Sequence, residues 1–463
     1  MVGSLVIGTR HLFLGGAVGV AAVVGGLLVV PAPWIALSIF VGVPSLAVIV
    51  STSRARLYFF VLGGLAVFQL PDSASSIKLA YLGGVALCSV VSVTRVSRVK
   101  DPWVKSFRLL IPPGAMVVLV LAIGLTTGIS QSDPTDSVRD AIPYLLLLLG
   151  PVIGLDAARD MGTRGLYRLT VSVGIVAAVG FSTDWLDRRG VSSLPFGRFL
   201  LATFMLGALG FVLALVMASN TSGWSRLRWI VAACVIPLAY LITGSRSAMV
   251  IFAGLMGVMG SSRKARVPIA RALSLAVGVA VTIYVIVPPL AQLLISDPRF
   301  IDSRIRAAIQ FLDGSGGDLS LQERLQAVAW TNDVFQANLL FGTGPGHRYP
   351  NGALTLDSPV TLLAKWGLIG GLAFAGFLVA IALVSRRVHR AGTFTPANAV
   401  CRGFLFVVLA ITPFGGAFED KGFALAIALL IAILASSARE VAQRDDIQSP
   451  NGGAYPEGVS AVH

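Results

Sequence analysis

Long apolar runs alternate with short polar segments along nearly the whole chain. A helix needs about 20 apolar residues to cross about 30 Å of hydrocarbon, and most of these runs approach that length. Lipid offers no partner to unpaired backbone groups, so runs this continuous favour helices over barrel strands. The pattern predicts an all-α polytopic transmembrane helical bundle of about 12–14 helices. The predicted spans lie near residues 11–30, 33–50, 57–70, 77–94, 109–127, 141–155, 167–182, 199–219, 229–244, 247–260, 269–295, 359–384, 403–418 and 422–437.

One long polar interruption, residues 296–358, divides the chain. It separates the first eleven predicted spans, within residues 1–295, from the C-terminal spans within 359–437, and a disordered tail is predicted over 438–463. Long structured loops between helices are uncommon without a function. Apolar residues in this loop recur at near-helical spacing and predict an amphipathic helix over about 320–339. They are Leu321, Leu325, Val328, Phe335 and Leu339.

Composition excludes an ordinary soluble domain. Hydrophobic residues make up 55% of the 463 residues and charged residues only 13%, whereas about 25% of a soluble domain is charged. The net charge of +14 would suggest nucleic acid in a soluble protein. Here the basic residues form short clusters between apolar runs, which is typical of anchoring in membranes with anionic lipids. We therefore expect membrane lipids, and no nucleic acid, among the partners.

The basic clusters occur in alternate segments, as the positive-inside rule predicts for cytoplasmic loops. The intervening segments differ, since residues 71–76 contain no cation and residues 127–140 contain three aspartates against one arginine. We therefore predict a multi-pass protein of the inner or plasma membrane, with both termini cytoplasmic and residues 296–358 outside. The cytoplasmic clusters include Arg54, Arg98, Arg164, Arg226, Arg266 and Arg386.

Several arginines lie on the predicted outer side, contrary to the positive-inside rule. Arg246 lies between two strongly apolar spans, where an ionised group is costly and usually faces a cavity or a partner. It is either a snorkelling interfacial arginine or an anion ligand, since a guanidinium offers paired donors to phosphate or carboxylate. A lipid-linked diphosphate is an anion that lies at this interface. The other candidates are Arg304, Arg306, Arg324 and Arg348, with Arg188 and Arg189 as further ones.

A glycine-dense turn, Phe-Gly-Thr-Gly-Pro-Gly-His-Arg over residues 341–348, follows the predicted amphipathic helix. Glycines let backbone amides approach a ligand closely and can form an anion nest, although a plain turn has the same composition. No predicted strand precedes the turn and no Gly-Lys-Ser/Thr follows it. A nucleotide-binding loop is therefore rejected.

Three stretches carry a family resemblance. One is Thr243-Gly-Ser-Arg-Ser-Ala248, which is similar to a Ser-Arg-(Gly/Ser)-Ala helix start. The second combines Glu323-Arg324, Trp330 and Leu340-Phe-Gly-Thr-Gly-Pro-Gly346, and the third is Ala364-Lys-Trp-Gly-Leu-Ile-Gly-Gly-Leu372. Together they resemble the O-antigen ligase and polymerase superfamily of membrane glycosyltransferases. The resemblance covers residues 240–385, and elsewhere extends only to helix number and topology.

The resemblance implies transfer of a glycan from a polyprenyl-diphosphate-linked donor to an acceptor glycan or glycolipid, on the extracytoplasmic face. It implies no metal and no other cofactor, and the chain has no Asp-x-Asp motif in keeping with this. Arg246 and Arg324 correspond to the family arginines that bind the diphosphate, with Arg304, Arg306 and Arg348 as support. Preplaced guanidinium groups would stabilise the charge that grows on the leaving diphosphate.

The chain departs from the family at the proposed base. The family commonly has a His-Asn pair just before the returning helix, where this chain has Leu356-Asp-Ser-Pro359. Three options stay open: Asp357 takes the acceptor proton, His347 reaches the same place from the glycine turn, or no strong base is used. Further acidic candidates are Glu419 and Asp420, of which Glu419 is expected to form an interfacial ion pair with Lys421.

A secondary transporter or flippase is the rival class. It predicts ionisable residues in the middle of spans and broken helices in two matched halves. The sequence has almost no mid-span carboxylate and no obvious internal repeat, so the pattern favours the enzyme. Polymerase and ligase activity share donor and motifs, and both stay open.

Overall fold

The computed structural model describes most of the chain between residues 47 and 448, with gaps. Within the described residues every regular element is an α-helix or a 3₁₀ turn. The predicted spans near 11–30 and 269–295, and most of that near 33–50, lie outside this part. The described residues are 47, 49–68, 76–99, 101–188, 203–242, 248, 251–256, 319–390, 396–413 and 415–448.

Prolines mark the starts of four helices, since the fixed φ of proline suits a first helical turn. A 3₁₀ turn, Arg108–Leu110, precedes α4, and a second, Ala417–Glu419, precedes α12. In chain order the helices are α1 (Ser53–Val67), α2 (Ser76–Ser97), α3 (Pro102–Phe107), α4 (Ile111–Gln131), α5 (Pro134–Ala157), α6 (Thr163–Arg188), α7 (Met205–Asn220), α8 (Gly223–Ile242), α9 (Leu319–Ala337), α10 (Thr361–Arg390), α11 (Pro396–Ile411) and α12 (Lys421–Gln448).

Six helical stretches in the described part are long and apolar enough to cross a membrane. They coincide with spans predicted from hydropathy, which confirms a polytopic helical membrane protein. Two shorter apolar helices, α7 and α11, accompany them. The total of 12–14 helices, the kind of membrane and the orientation stay predictions. The six stretches are Ile77–Ser97, Trp103–Gln131, Pro134–Ala157, Thr163–Asp184, Thr361–His389 and Lys421–Gln443.

Helices α5 and α12 form the centre of the described bundle. Helix α12 is buried by protein on all sides from Phe423 to Ala435. Its small residues let α5 approach closely, and a Cβ atom on Gly154 would overlap the carbonyl oxygen of Ala428. Lipid is as apolar as the helices, so such close van der Waals contact between small residues is what favours their association.

Charged side chains lie at both ends of α5. At its C-terminal end the fully buried Arg56 donates from Nε to Asp156 Oδ2 at 3.1 Å, and Ser92 donates to the same oxygen at 3.1 Å. Near its N-terminal end Asp136 and Asp140 pair with cations of the long loop and of α10. From Asp140 to Asp156 the helix rises about 24 Å, most of the thickness of a hydrocarbon core. The Arg56 end is the one that the charge pattern predicts to be cytoplasmic.

The end of α12 corrects the predicted disordered tail. The helix continues to Gln448, so residues 438–448 are helical. Arg439 donates to the carbonyl oxygen of Ala158 at 3.3 Å, and Glu440 accepts a hydrogen bond from the first residue of α6. These contacts order a segment whose polar composition alone predicts disorder. The rest of the predicted tail lies outside the described residues.

Helix α9 occupies the segment where the amphipathic helix is predicted. Its buried positions are Ala327 and Thr331, whereas Leu325 and Leu339 of the predicted apolar stripe are 61% and 49% exposed. The small residues of α9 therefore face the protein, because they allow close contact with the following loop. Burial of the leucines in the membrane surface stays a prediction.

Gly154→Ala should destabilise the bundle by about 1–3 kcal/mol, because the added methyl group meets a backbone carbonyl in a packed crossing. Gly83→Ala is the matched control, since it lies inside α2 and has nothing within 4 Å of its Cβ position. Thermal unfolding of both purified variants in one detergent measures the difference. Equal melting temperatures would contradict the close α5–α12 crossing.

Candidate functional site

Helix α10 is broken six residues after its start, at Gly367, where φ is 63° and ψ is −170°. Beyond the break, Leu368 N donates to Leu339 O at 2.8 Å. Ile369 N likewise donates to Leu340 O at 3.2 Å. The loop approaches so closely that a Cβ atom on Gly367 would overlap Leu340 O, and the left-handed φ also favours glycine.

The glycine turn, residues 341–348, bonds to the other side of the break. Thr343 N donates to Ala364 O at 3.1 Å, and Gly344 N donates to Lys365 O at 2.9 Å. The backbone groups freed by the break therefore find partners in the turn and in the two leucines just before it. This matters in a membrane protein, because unpaired backbone groups at membrane depth have no water to bind. We call these two hydrogen bonds, together with those donated by Leu368 and Ile369, the backbone interlock.

The glycines of the turn are required by packing. Gly342, Gly344 and Gly346 have φ of 68°, 76° and 94°, and a Cβ atom on any of them would overlap a neighbouring helix. The amide of Gly346 donates to Asp140 Oδ2 at 2.9 Å. The anion that this amide binds is thus a carboxylate of the protein itself.

A buried lysine lies next to the turn. Lys365 Nζ donates to Asp140 Oδ1 at 2.6 Å and to Glu419 Oε2 at 3.0 Å. It also donates to Thr355 Oγ1 at 2.9 Å, and Tyr144 donates to the other oxygen of Glu419. The side chains of Lys365, Asp140 and Glu419 are only 1%, 3% and 8% exposed. We call these five residues the Lys365 cluster.

The Lys365 cluster joins one ammonium group to two carboxylates. Taking such charges out of water costs several kcal/mol per ion unless pairing and hydrogen bonds compensate, and here each charged side chain has at least two partners. Burial raises the pKa of Glu419, although Lys365 opposes this rise.

Arg348 pairs with a second acidic residue of α5. Its Nε donates to Asp136 Oδ2 at 2.6 Å, and its NH1 group donates to Gly352 O at 3.1 Å. The side chain is still 57% exposed, so part of the guanidinium faces the surroundings. Asp136 and Asp140 lie one helical turn apart. Helix α5 therefore holds the loop at two points, through Arg348 and through Gly346.

His347 lies between those two points of attachment and is partly buried. Its ring meets that of Tyr349 edge-on, with 5.2 Å between ring centres. Burial lowers the pKa of His347, and Lys365 lowers it further, whereas Asp140 opposes both effects. The imidazole is therefore neutral at neutral pH and can accept a proton.

Three of the predicted site residues lie close in sequence to the members of a small apolar cluster. Arg324, His347 and exposed Asp357 lie three, two and one positions in sequence from its members. Arg324 shares a face of α9 with the buried positions one and two turns later. A hydrogen bond of 2.7 Å between the hydroxyls of Thr331 and Ser358 also joins α9 to the loop. The members of the cluster are Ala327, Tyr349 and Leu356.

Other predicted site residues are distributed differently. Arg324 has no hydrogen bond or ion pair with any other residue that the structure describes. Glu419 pairs with Lys365, whereas its expected partner, Lys421, lies 5.1 Å from the ring centre of Phe68. Arg188 ends α6, and the side chain at that position is not described. The residues that lie outside the described part are Arg189, Arg246, Arg304 and Arg306.

Asp420, the other acidic candidate, is a helix cap. Its Oδ2 accepts from Phe204 N at 3.2 Å, from Met205 N at 3.3 Å and from the Thr203 hydroxyl at 2.8 Å. These amides open α7 and have no partner inside that helix. Asp420 therefore stabilises the start of α7.

Lys365 and Asp140 were not among the predicted site residues. The sequence offers one indication that Lys365 is a site residue, since this lysine interrupts the apolar run of the returning helix. Asp136, Asp140 and Tyr144 carried another, because their four-residue spacing places them on one face of a helix.

The described residues include no group of three or more His, Cys, Asp or Glu side chains arranged to hold a metal ion. The lack of a metal requirement stays a prediction. No protein-family model matches the chain, and no curated protein matches it either.

Lys365→Met should destabilise the protein by about 3–5 kcal/mol, because it leaves two buried carboxylates without a cation. Adding Asp140→Asn and Glu419→Gln should restore much of that loss. Lys105→Met, at an exposed position of α3, is the control. Thermal unfolding in detergent reports all three, and a Lys365→Met protein as stable as wild type would refute the assigned pairing.

Proposed function

We propose that this chain is a membrane glycosyltransferase, which moves a glycan from a polyprenyl-diphosphate carrier to an acceptor glycan or glycolipid on the extracytoplasmic face. The observation that carries the proposal is the packed contact between α9 and the loop, whose members lie within three positions in sequence of Arg324, His347 and Asp357. The loop binds the end of α5 opposite the Arg56–Asp156 pair, and this is the end that the charge pattern predicts to be outside. Lipid-linked diphosphates lie at this level of the membrane.

Arg324 would supply the diphosphate contact. Its guanidinium has five N–H donors and no partner among the described residues. When the bond between the sugar carbon and the diphosphate oxygen breaks, negative charge grows on the leaving group. A guanidinium already in place stabilises that charge without reorganisation. Arg246, Arg304 and Arg306 keep their predicted roles as further diphosphate ligands.

The proton of the acceptor hydroxyl would pass to His347 or to Asp357 as the acceptor oxygen bonds to the sugar carbon. The lowered pKa of His347 favours the histidine, because the neutral imidazole is the form that accepts a proton. Exposure favours Asp357, which an acceptor reaches from outside the protein.

Arg348 would act mainly by holding the loop. Asp136 neutralises much of its charge, and the same guanidinium bonds the backbone at Gly352. Its exposed side still adds positive field at the site. Arg324 is therefore the better target for testing diphosphate binding.

A secondary transporter or flippase for an anionic or lipid-linked substrate is the second candidate, and two observations favour it. The Lys365 cluster places ionisable groups inside the bundle, and α10 is broken at Gly367. Transporters use both features to bind substrates and ions. Against this, Lys365 lies near the start of its helix, and its ammonium is fully occupied by protein groups.

In cells that lack the gene, Arg324→Gln should transfer glycan about a hundredfold more slowly than wild type, because one donor to the developing charge is lost. Arg164→Gln, an exposed arginine at the other end of the bundle, is the matched control and should behave as wild type. Gel electrophoresis of the glycan and mass spectrometry of the lipid-linked pool measure the outcome.

The carrier-linked glycan that accumulates in the mutant cells distinguishes polymerase, ligase and flippase activity. Single repeats held on the carrier would indicate a polymerase, and long polymer held on the carrier would indicate a ligase. Precursor that accumulates in the cytoplasmic leaflet would favour the flippase. An unchanged glycan and carrier pool in every strain would rule out the transferase.

The pH profile of transfer by the purified protein tests His347 as the base. Its pKa is lowered from 6.5, so activity should be full at neutral pH and fall only below pH 6.5, as the imidazole is protonated. His347→Gln should slow transfer and abolish this acid limb, while Asp357→Asn should keep the limb. The reverse result would assign the base to Asp357.

A further inference from the structure

A cavity of about 360 Å³ lies between α10 and α11. From Leu368, just after the break, to Arg386 at the edge of the cavity, α10 rises about 27 Å. The cavity is therefore at the opposite end of the bundle from the Lys365 cluster, and at the depth where lipid headgroups lie. Its polar lining consists of Ser385, Arg386, Asn398 and Arg402.

The two arginines come from different helices and line the same space. Arg386 and Arg402 are both exposed, and neither forms an ion pair or hydrogen bond with another described residue. No aspartate or glutamate is among the described residues that line the cavity. Two guanidinium groups beside one cavity repel each other until an anion lies between them.

A buried amide adds a directed donor. Asn398 is only 4% exposed, and its Oδ1 accepts a hydrogen bond of 2.8 Å from the buried hydroxyl of Ser385. That bond fixes the orientation of the amide. Its Nδ2 group has no partner among the described residues, and Asn398 lines the cavity. An acceptor in the cavity would satisfy it.

We infer that this cavity binds a phosphate group, and that the phosphate belongs to an anionic membrane phospholipid. Two guanidinium groups and a fixed amide N–H₂ suit the oxygens of a phosphodiester. The apolar side chains of Ala382 and Leu405 at the same cavity suit the start of the acyl chains. This inference is independent of the proposed glycosyl transfer.

Arginines that merely snorkel to the membrane surface would show a different arrangement. They need no shared cavity and no buried amide between them. Arg387, the neighbour of Arg386, is such a residue, because it is exposed and does not line the cavity. It provides a control with the same charge at the same depth.

Native mass spectrometry of the full chain in detergent tests the site, with phosphatidylglycerol as the probe. Wild type and Arg387→Gln should retain one tightly bound phosphatidylglycerol. The Arg386→Gln/Arg402→Gln variant should bind it about tenfold more weakly or worse. Asn398→Leu should also weaken binding, and unchanged elution on size exclusion shows that each variant is folded.

Three results would overturn the inference. The first is equal retention of phosphatidylcholine, whose phosphate is balanced by its choline. The second is unchanged affinity in the double variant, and the third is equal loss in Arg387→Gln. Displacement of the lipid by millimolar inorganic phosphate, with no preference for the lipid, would overturn the lipid assignment and leave a site for the free anion.

Discussion

A lysine ammonium buried inside a membrane bundle must have counter-charges, and the described architecture depends on how Lys365 obtains them. Its two carboxylates come from α5 and from the turn before α12, and its third acceptor comes from the long loop. Breaking such a buried pair costs about 3–5 kcal/mol, so these segments form one unit. A loop held in this way becomes part of the bundle and can carry chemically active groups in fixed positions.

The backbone interlock solves a second problem of the same region. Breaking a helix at membrane depth frees carbonyl and amide groups that lipid cannot satisfy. The chain before Gly367 pairs with the glycine turn, and the chain after it pairs with Leu339 and Leu340. The glycines are needed because these backbone segments approach without room for a Cβ atom. A high density of glycine therefore reflects close backbone contact here, where the sequence equally suggests a ligand nest.

The sequence predicts local features of this fold well and distant pairings poorly. Spans near 77–94 and 141–155 are confirmed as helices, because hydropathy over one window is enough to detect them. Asp140 and Lys365, which lie 225 positions apart, meet only in the folded bundle. Arg348 looks like a free cation until Asp136 is placed beside it, 212 positions away. Glu419 was expected to pair with its neighbour Lys421 for the same reason, since only local partners are visible in a sequence.

Helix α5 is held by charge at both of its ends, by Arg56 at one and by Lys365 and Arg348 at the other. A piston-like slide along its own axis would break both sets of ion pairs at once. Tilting of α5 is opposed in the same way. In a protein with the proposed function, a substrate would therefore pass beside a fixed α5, through sideways opening of the helices and loops around it.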